Sequence, residues 1–72
     1  MIIHDTESFG AAVRARRKEL GYTQSYLAEY TGLSVSFLSD LERGKKTCEL
    51  GKAIFICDML GMDVVVRGRG GK

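Results

Sequence analysis

At 72 residues, 44% hydrophobic and 28% charged, the chain has room for one small globular domain but not for a linker and a second core. A formal net charge of +2 carries no case for nucleic acid by itself, and no apolar run approaches the roughly 18 residues of a membrane span. The opening "MIIHDTESFG" has neither a basic segment nor a long apolar run, so no secretory leader is expected and the chain is expected to be cytoplasmic.

Proline is absent and glycine supplies the punctuation. Gly21, Gly32, Gly44 and Gly61 each close an apolar-periodic segment, the place glycine takes just past a helix end. Four helices follow. The first is expected over Ser8–Leu20 with Asp5 or Thr6 as its N-cap. Phe9, Ala12, Val13 and Leu20 share one side, with Arg16 and Arg17 beside it. The second runs over Gln24–Tyr30 behind Thr23, with Leu27 and Ala28 inward. Tyr22, Tyr26 and Tyr30, four apart, share one side there and suit packing and phosphate contact rather than catalysis. The third covers Val35–Arg43 behind Ser34, with Leu38 and Leu41 inward. The fourth covers Cys48–Leu60 behind Thr47, with Leu50, Ala53, Ile54, Cys57 and Leu60 on one face.

Phe55, Ile56 and Met59 lie off that face. The fourth helix is thus apolar almost all round, more than a small monomer can cover. After Gly61 the pattern changes to "MDVVVR", short and β-branched, which predicts a strand. One strand with no mate in its chain leaves its ladder groups unpaired. It is therefore expected to pair with a second copy across a symmetric dimer, with Phe55, Met59, Met62, Val64, Val65 and Val66 in the contact. The whole chain, 1–72, reads as a single domain, with 61–67 the dimerising strand and 68–72 a flexible basic tail.

Basic residues fall in three clusters, "RARRKE", "ERGKK" and "RGRGGK", of the kind that attract phosphate irrespective of sequence. Cys48 and Cys57, if on one helix, stand about 13 Å apart by helical rise and cannot pair. Neither has a metal-ligand companion in the spacing, so both are expected to be reduced thiols, and no metal or cofactor is expected. The one histidine, His4, sits near the terminus. No activated nucleophile or phosphate-binding glycine loop accompanies it, so an enzyme is not expected.

The stretch "GYTQSYLAEYTGLSVSFLSDLERGKK" joins two short helices through a tight turn at "TGLS". Small Ala28 permits close approach, Gly32 takes the left-handed position, and Leu33 fills the angle. Leu38 and Leu41 bury the back of the second helix. That layout sets the front of the second helix into a major groove. Its difficulty is chemical: between Thr31 and Leu41 there is no Arg, Lys, Gln or Asn, and there is an acid, Asp40.

From Phe9 to Leu60 the chain resembles the Cro/CI-type (Xre-like) helix-turn-helix family. The resemblance rests on Gly21, Thr23, Gln24, Leu27, Ala28, Gly32, Leu33, Ser34, Leu41, Glu42 and Gly44, with Arg17 at a looser spacing. The runs "VRARRKELG" and "ERGKKTCELGK" are further similar to HipB-type antitoxins, dimeric repressors that neutralise HipA-type kinase toxins. The resemblance implies an all-α, four-to-five-helix domain with a short C-terminal β-strand pairing across a dimer. It implies a homodimeric repressor on a palindromic operator, with double-stranded DNA, a second copy and a HipA-type kinase toxin as partners. A stand-alone phage-type regulator, and a helical interaction module that binds no DNA, are the alternatives.

The resemblance also assigns roles. Gln24 falls where the family touches phosphate, and Ser34, Val35, Ser36, Phe37 and Ser39 fall on the groove-facing part of the recognition helix. Serine hydroxyls suit base edges or phosphates, and Val or Phe suits a thymine methyl. Phe37 is expected at the surface. Arg43, Lys45 and Lys46 are expected to clamp phosphate, and Arg17 and Glu42 to form a structural ion pair. Asp40 is expected to face off the groove and pair with a nearby base. With no bidentate side chain at the front of the helix, specificity is expected to draw on DNA shape as well as contacts.

Overall fold

Asp5 sets the start of the chain's longest helix. In the computed structural model, which describes residues 2–70, α1 (Thr6–Glu19) begins behind a reciprocal cap. Asp5 Oδ1 accepts the Ser8 N–H at 2.7 Å, and Ser8 Oγ accepts the Asp5 N–H at 3.2 Å. The helix therefore opens two residues before the expected Ser8, because a local hydrogen bond, and not the first apolar residue, fixes its end. α2 (Gln24–Thr31) follows, with the Thr23 hydroxyl accepting the Tyr26 N–H at 3.0 Å. α3 (Val35–Glu42) is capped by Ser34, whose hydroxyl accepts the Phe37 N–H at 3.0 Å.

α4 (Leu50–Met59) departs from expectation at both its start and its face. No side chain caps it, and Glu49 stands at the cap position where Thr47 was expected. The Cys48 N–H instead donates to Lys45 O at 3.4 Å, closing a turn that keeps Thr47 and Cys48 out of the helix. The inward stripe is Ala53, Ile56, Cys57 and Leu60, while Leu50 is 71% exposed and Ile54 also reaches solvent. Ile56, expected outside, is fully buried. Leu20, expected on the inner side of α1, lies at the surface.

The core joins Val13, Leu27, Ala28, Leu38 and Leu41 to the α4 stripe, with Phe9, Tyr22, Leu33, Phe37, Cys48 and Met62 packed around it. α1 crosses the end of α3 at Gly10, which is buried. A Cβ there would collide with the carbonyl oxygens of Leu41 and Glu42. Beside it Gly44, with φ +84°, lies against the backbone of Glu7, and its carbonyl accepts the Thr6 hydroxyl at 2.7 Å. Arg16 Nε donates to Leu60 O at 2.8 Å, placing a cation at the carbonyl end of α4. α1 thus fixes the far end of α3 and the far end of α4 together.

The four helices are the regular elements assigned among the described residues. Residues 61–67, where a strand was expected, carry no strand assignment in the single chain. Of the expected 68–72 tail, Gly71 and Lys72 lie outside the described residues. No helix among the described residues is long and apolar enough to cross a membrane.

Candidate nucleic-acid interface

Between α2 and α3 the backbone turns on Gly32, whose φ of +78° is open to glycine without strain and whose N–H reaches Ala28 O at 2.9 Å. Thr31 Oγ1 donates to Leu27 O at 2.7 Å and closes the last turn of α2. Ser34 then starts α3 afresh. The two helices share Leu27, Ala28, Leu38 and Leu41 as one buried seam. The opposite side of α3 is left to solvent, with Ser34, Val35 and Ser36 exposed. This is the helix-turn-helix geometry, a layout in which the front of the second helix is the part set into a major groove.

A charged lock holds the motif to α1. Arg17 Nε donates to Glu42 Oε2 at 2.7 Å and Nη2 to Glu42 Oε1 at 2.9 Å, with both side chains buried. The third arm, Nη1, donates to Tyr22 O at 2.8 Å, which pins the α1–α2 connection. Burial by itself works against the Glu42 charge. The hydrogen bonds from Arg17 and Gln24, with the charges of Arg17 and Arg14, outweigh it and hold the carboxyl below its ordinary value. The same pairing raises Arg17.

Gln24 belongs to this lock. Its Nε2 donates to Glu42 Oε1 at 3.0 Å, a bond that the sequence reading, which assigned Gln24 to phosphate, did not anticipate. An amide nitrogen carries two hydrogens, so a second donor remains besides the one on Glu42.

The five residues assigned to the reading face are not equivalent. Ser36 and Val35 are exposed. Ser34 accepts from its own helix but keeps its hydroxyl hydrogen. Ser39 is half-buried and accepts from Arg43 Nη1 at 2.7 Å. Phe37 corrects the expectation of a surface ring: it is half-buried against the core, and Lys52 Nζ lies 5.8 Å from its ring centroid. The reason is its place in the first turn of α3, beside Thr47, Cys48 and Glu49 of the α3–α4 connection.

Beyond α3 the chain leaves with Arg43, Lys45 and Lys46 exposed. Asp40 does pair with nearby bases, and those bases are two of the assigned phosphate clamps. Oδ1 accepts from Arg43 Nη2 at 2.8 Å, and Oδ2 from Lys45 Nζ at 3.4 Å. The i,i+3 and i,i+4 spacings of Asp40 and Ser39 with Arg43 were a signal available in the sequence.

On the outer side of α2 the tyrosines form a ladder. Tyr22, just before the helix, has its ring 5.1 Å from that of Tyr26, and Tyr26 stacks on Tyr30 at 6.1 Å. Tyr26 and Tyr30 are exposed.

The residues assigned to a dimer contact divide likewise. Phe55, Val64, Val65 and Val66 are exposed, Val66 almost wholly at 95%. Met59 is half-buried. Met62 packs against this chain's own core, its N–H donating to Cys57 O at 2.8 Å. Cys57 is buried and Cys48 half-buried, both free, and burial, with the nearby Asp58 charge, pushes the Cys57 thiol up.

Comparison with known proteins places this geometry in a family. The helix-turn-helix family profile matches residues 13–66. An uncharacterized HTH-type transcriptional regulator of Sinorhizobium fredii, y4mF, is 38% identical over 61 residues, covering 85% of this chain and 80% of its own. YazB of Bacillus subtilis, also named an HTH-type transcriptional regulator, is 45% identical over 42 residues, covering 58% of this chain and 61% of its own. Among solved structures, HipB in a HipB–O4 20mer complex superposes with a TM-score of 0.86 at 21% identity, over 97% of this chain and 99% of that one. A HipA–HipB–O2–O3 complex gives the same score, identity and coverage. The chain has the HipB fold, and it belongs to the helix-turn-helix family of DNA-binding transcriptional regulators.

Proposed function

We propose that the chain is a homodimeric repressor of its own promoter, reading a palindromic operator, and that it is the antitoxin partner of a HipA-type kinase toxin. The observation that carries the DNA reading is that α3 starts on exposed Ser34, Val35 and Ser36 and is followed directly by the exposed basic residues Arg43, Lys45 and Lys46. The helix front meets base edges, and the exit and the free amide hydrogen of Gln24 meet phosphates on either side. Because the front carries small hydroxyls and one valine, phosphate contacts and DNA shape supply most of the affinity. The HipA partnership is supported by the fold shared with HipB in a HipA–HipB–O2–O3 complex. The dimer is supported by the exposed Val64, Val65 and Val66, which carry no strand pairing among the described residues.

A salt-dependent anisotropy titration on duplex from the chain's own promoter tests this. Affinity is expected to fall steeply with salt and to be lost on combining Arg43→Ala, Lys45→Ala and Lys46→Ala. Binding at no salt concentration would sink the DNA reading. Co-purification with the kinase-like product of a neighbouring gene tests the partnership, and a clean separation of the two proteins would end it.

A further inference from the structure

The carboxylate of Asp40 stands between the reading helix and its basic exit, and it serves two cations at once. Oδ1 takes a hydrogen bond from Arg43 Nη2 at 2.8 Å, and Oδ2 takes one from Lys45 Nζ at 3.4 Å. Lys46, the third cation of the exit, has no ion pair among the described residues. So Arg43 and Lys45 enter any encounter with phosphate already engaged to an anion.

The fold does not need this carboxylate. The backbone closes the turn by itself, through Arg43 N–H to Ser39 O, Gly44 N–H to Leu41 O and Lys45 N–H to Asp40 O, all at 3.0–3.1 Å. Arg43 and Lys45 are largely exposed, and ion pairs of exposed side chains contribute little to stability. What the carboxylate changes is the charge that the exit offers to an incoming polyanion.

We propose that Asp40 is an internal counter-ion that holds down the sequence-independent affinity of this surface for DNA phosphate. The inference rests on the DNA reading above. Phosphate oxygens compete with Asp40 for the same N–H donors. Arg43 has five, of which one is on Asp40 and one on Ser39. When phosphate wins a donor, the carboxylate is left beside a polyanion. When it does not, the cation is neutralised in place and releases fewer counterions from the DNA. Asp40 acts through Arg43 and Lys45 as a positioning and neutralising residue, without touching a base.

The test compares the wild-type chain with Asp40→Asn, which keeps the shape and removes the charge. Binding to promoter duplex and to unrelated duplex of equal length is followed from about 0.05 to about 0.3 M salt. Asp40→Asn is expected to tighten both complexes by the same factor, roughly fivefold per bound protomer near 0.15 M salt, and to steepen the slope of log K against log salt by about one. Asp40→Ser, which removes the charge without supplying an amide, is expected to steepen it equally. An unchanged slope in both variants overturns the proposal. So does a loss of affinity confined to the promoter duplex, the mark of an Asp40 contact with a cytosine amino group. If the wild type binds neither duplex, this inference and the DNA reading fall together. If the wild type binds and the variants do not steepen, this inference falls alone.

Discussion

Arg17 and Glu42 show how much a single pair decides in a domain this small. The pair is bidentate, out of water, and completed by Tyr22 O and the Gln24 amide, so neither charge is left unsatisfied. Removing one partner strands the other, at a cost of about 3–5 kcal/mol, against a total stability of about 5–15 kcal/mol for natural domains. Arg17→Ala and Glu42→Ala are each expected to unfold the chain at much lower urea than the wild type. The double variant should be scarcely worse than either, because the second substitution removes the stranded charge. The pair also sets the acid limit. Glu42 is held below its ordinary 4.5 in the fold, so the unfolded chain takes up its proton first. Its contribution is complete above about pH 4.5 and is lost as pH falls through the depressed folded value. Asp5, lowered chiefly by the Ser8 hydrogen bonds, acts in the same direction from the surface. Urea midpoints from about pH 7 to about pH 3 should drop steeply for the wild type and less steeply for Glu42→Gln. Equal acid slopes would show that Glu42 does not set the limit.

At the level of helices, what could be read from the sequence was what neighbours decide. The caps of α1, α2 and α3 are bonds between residues three apart, so Asp5, Thr23 and Ser34 announce themselves. The turn at Gly32 is likewise local. The face of α4 is not, because apolar residues surround it and periodicity leaves its phase open. Only packing into the core shared with Val13, Leu27, Ala28, Leu38 and Leu41 selects Ala53, Ile56, Cys57 and Leu60. The half-buried place of Phe37 and the bond from Gln24 to Glu42 were not legible for the same reason, each depending on a partner distant in sequence. Gly10 gave no signal at all, since only the crossing of α1 over α3 makes its missing side chain matter. Two glycines therefore separate the local from the tertiary. Gly10→Ala drives a methyl into the Leu41 and Glu42 carbonyls and should cost about 1–3 kcal/mol or more. Gly51→Ala, in α4 with open space around its Cβ position, should instead raise stability by up to about 1 kcal/mol. Thermal melts of the two variants moving in the same direction would contradict this account of the α1–α3 crossing.

The molecule as a whole exposes more than a monomer of its size should. Val64, Val65 and Val66 follow one another with Phe55 and Ile54 also at the surface, while the core proper consists of nine buried residues. An exposed β-branched segment with no strand pairing among the described residues offers an edge to a second copy. In the dimer proposed above the two tails would pair as a symmetric ribbon, and the two α3 helices are expected to meet half-sites about one helical turn apart. Val65→Pro tests this at one residue, because proline removes a ladder N–H and Val65, 66% exposed, packs on little in the single chain. Sedimentation should find the wild type as a dimer and the variant as a monomer whose helical circular dichroism is retained. On promoter duplex the monomer carries half the phosphate contacts, so its salt slope should be about half that of the wild type. A variant that remains dimeric would place the interface elsewhere, on the exposed side of α4. A wild type that sediments as a monomer would remove the palindrome from the proposal and leave each helix-turn-helix to bind DNA alone.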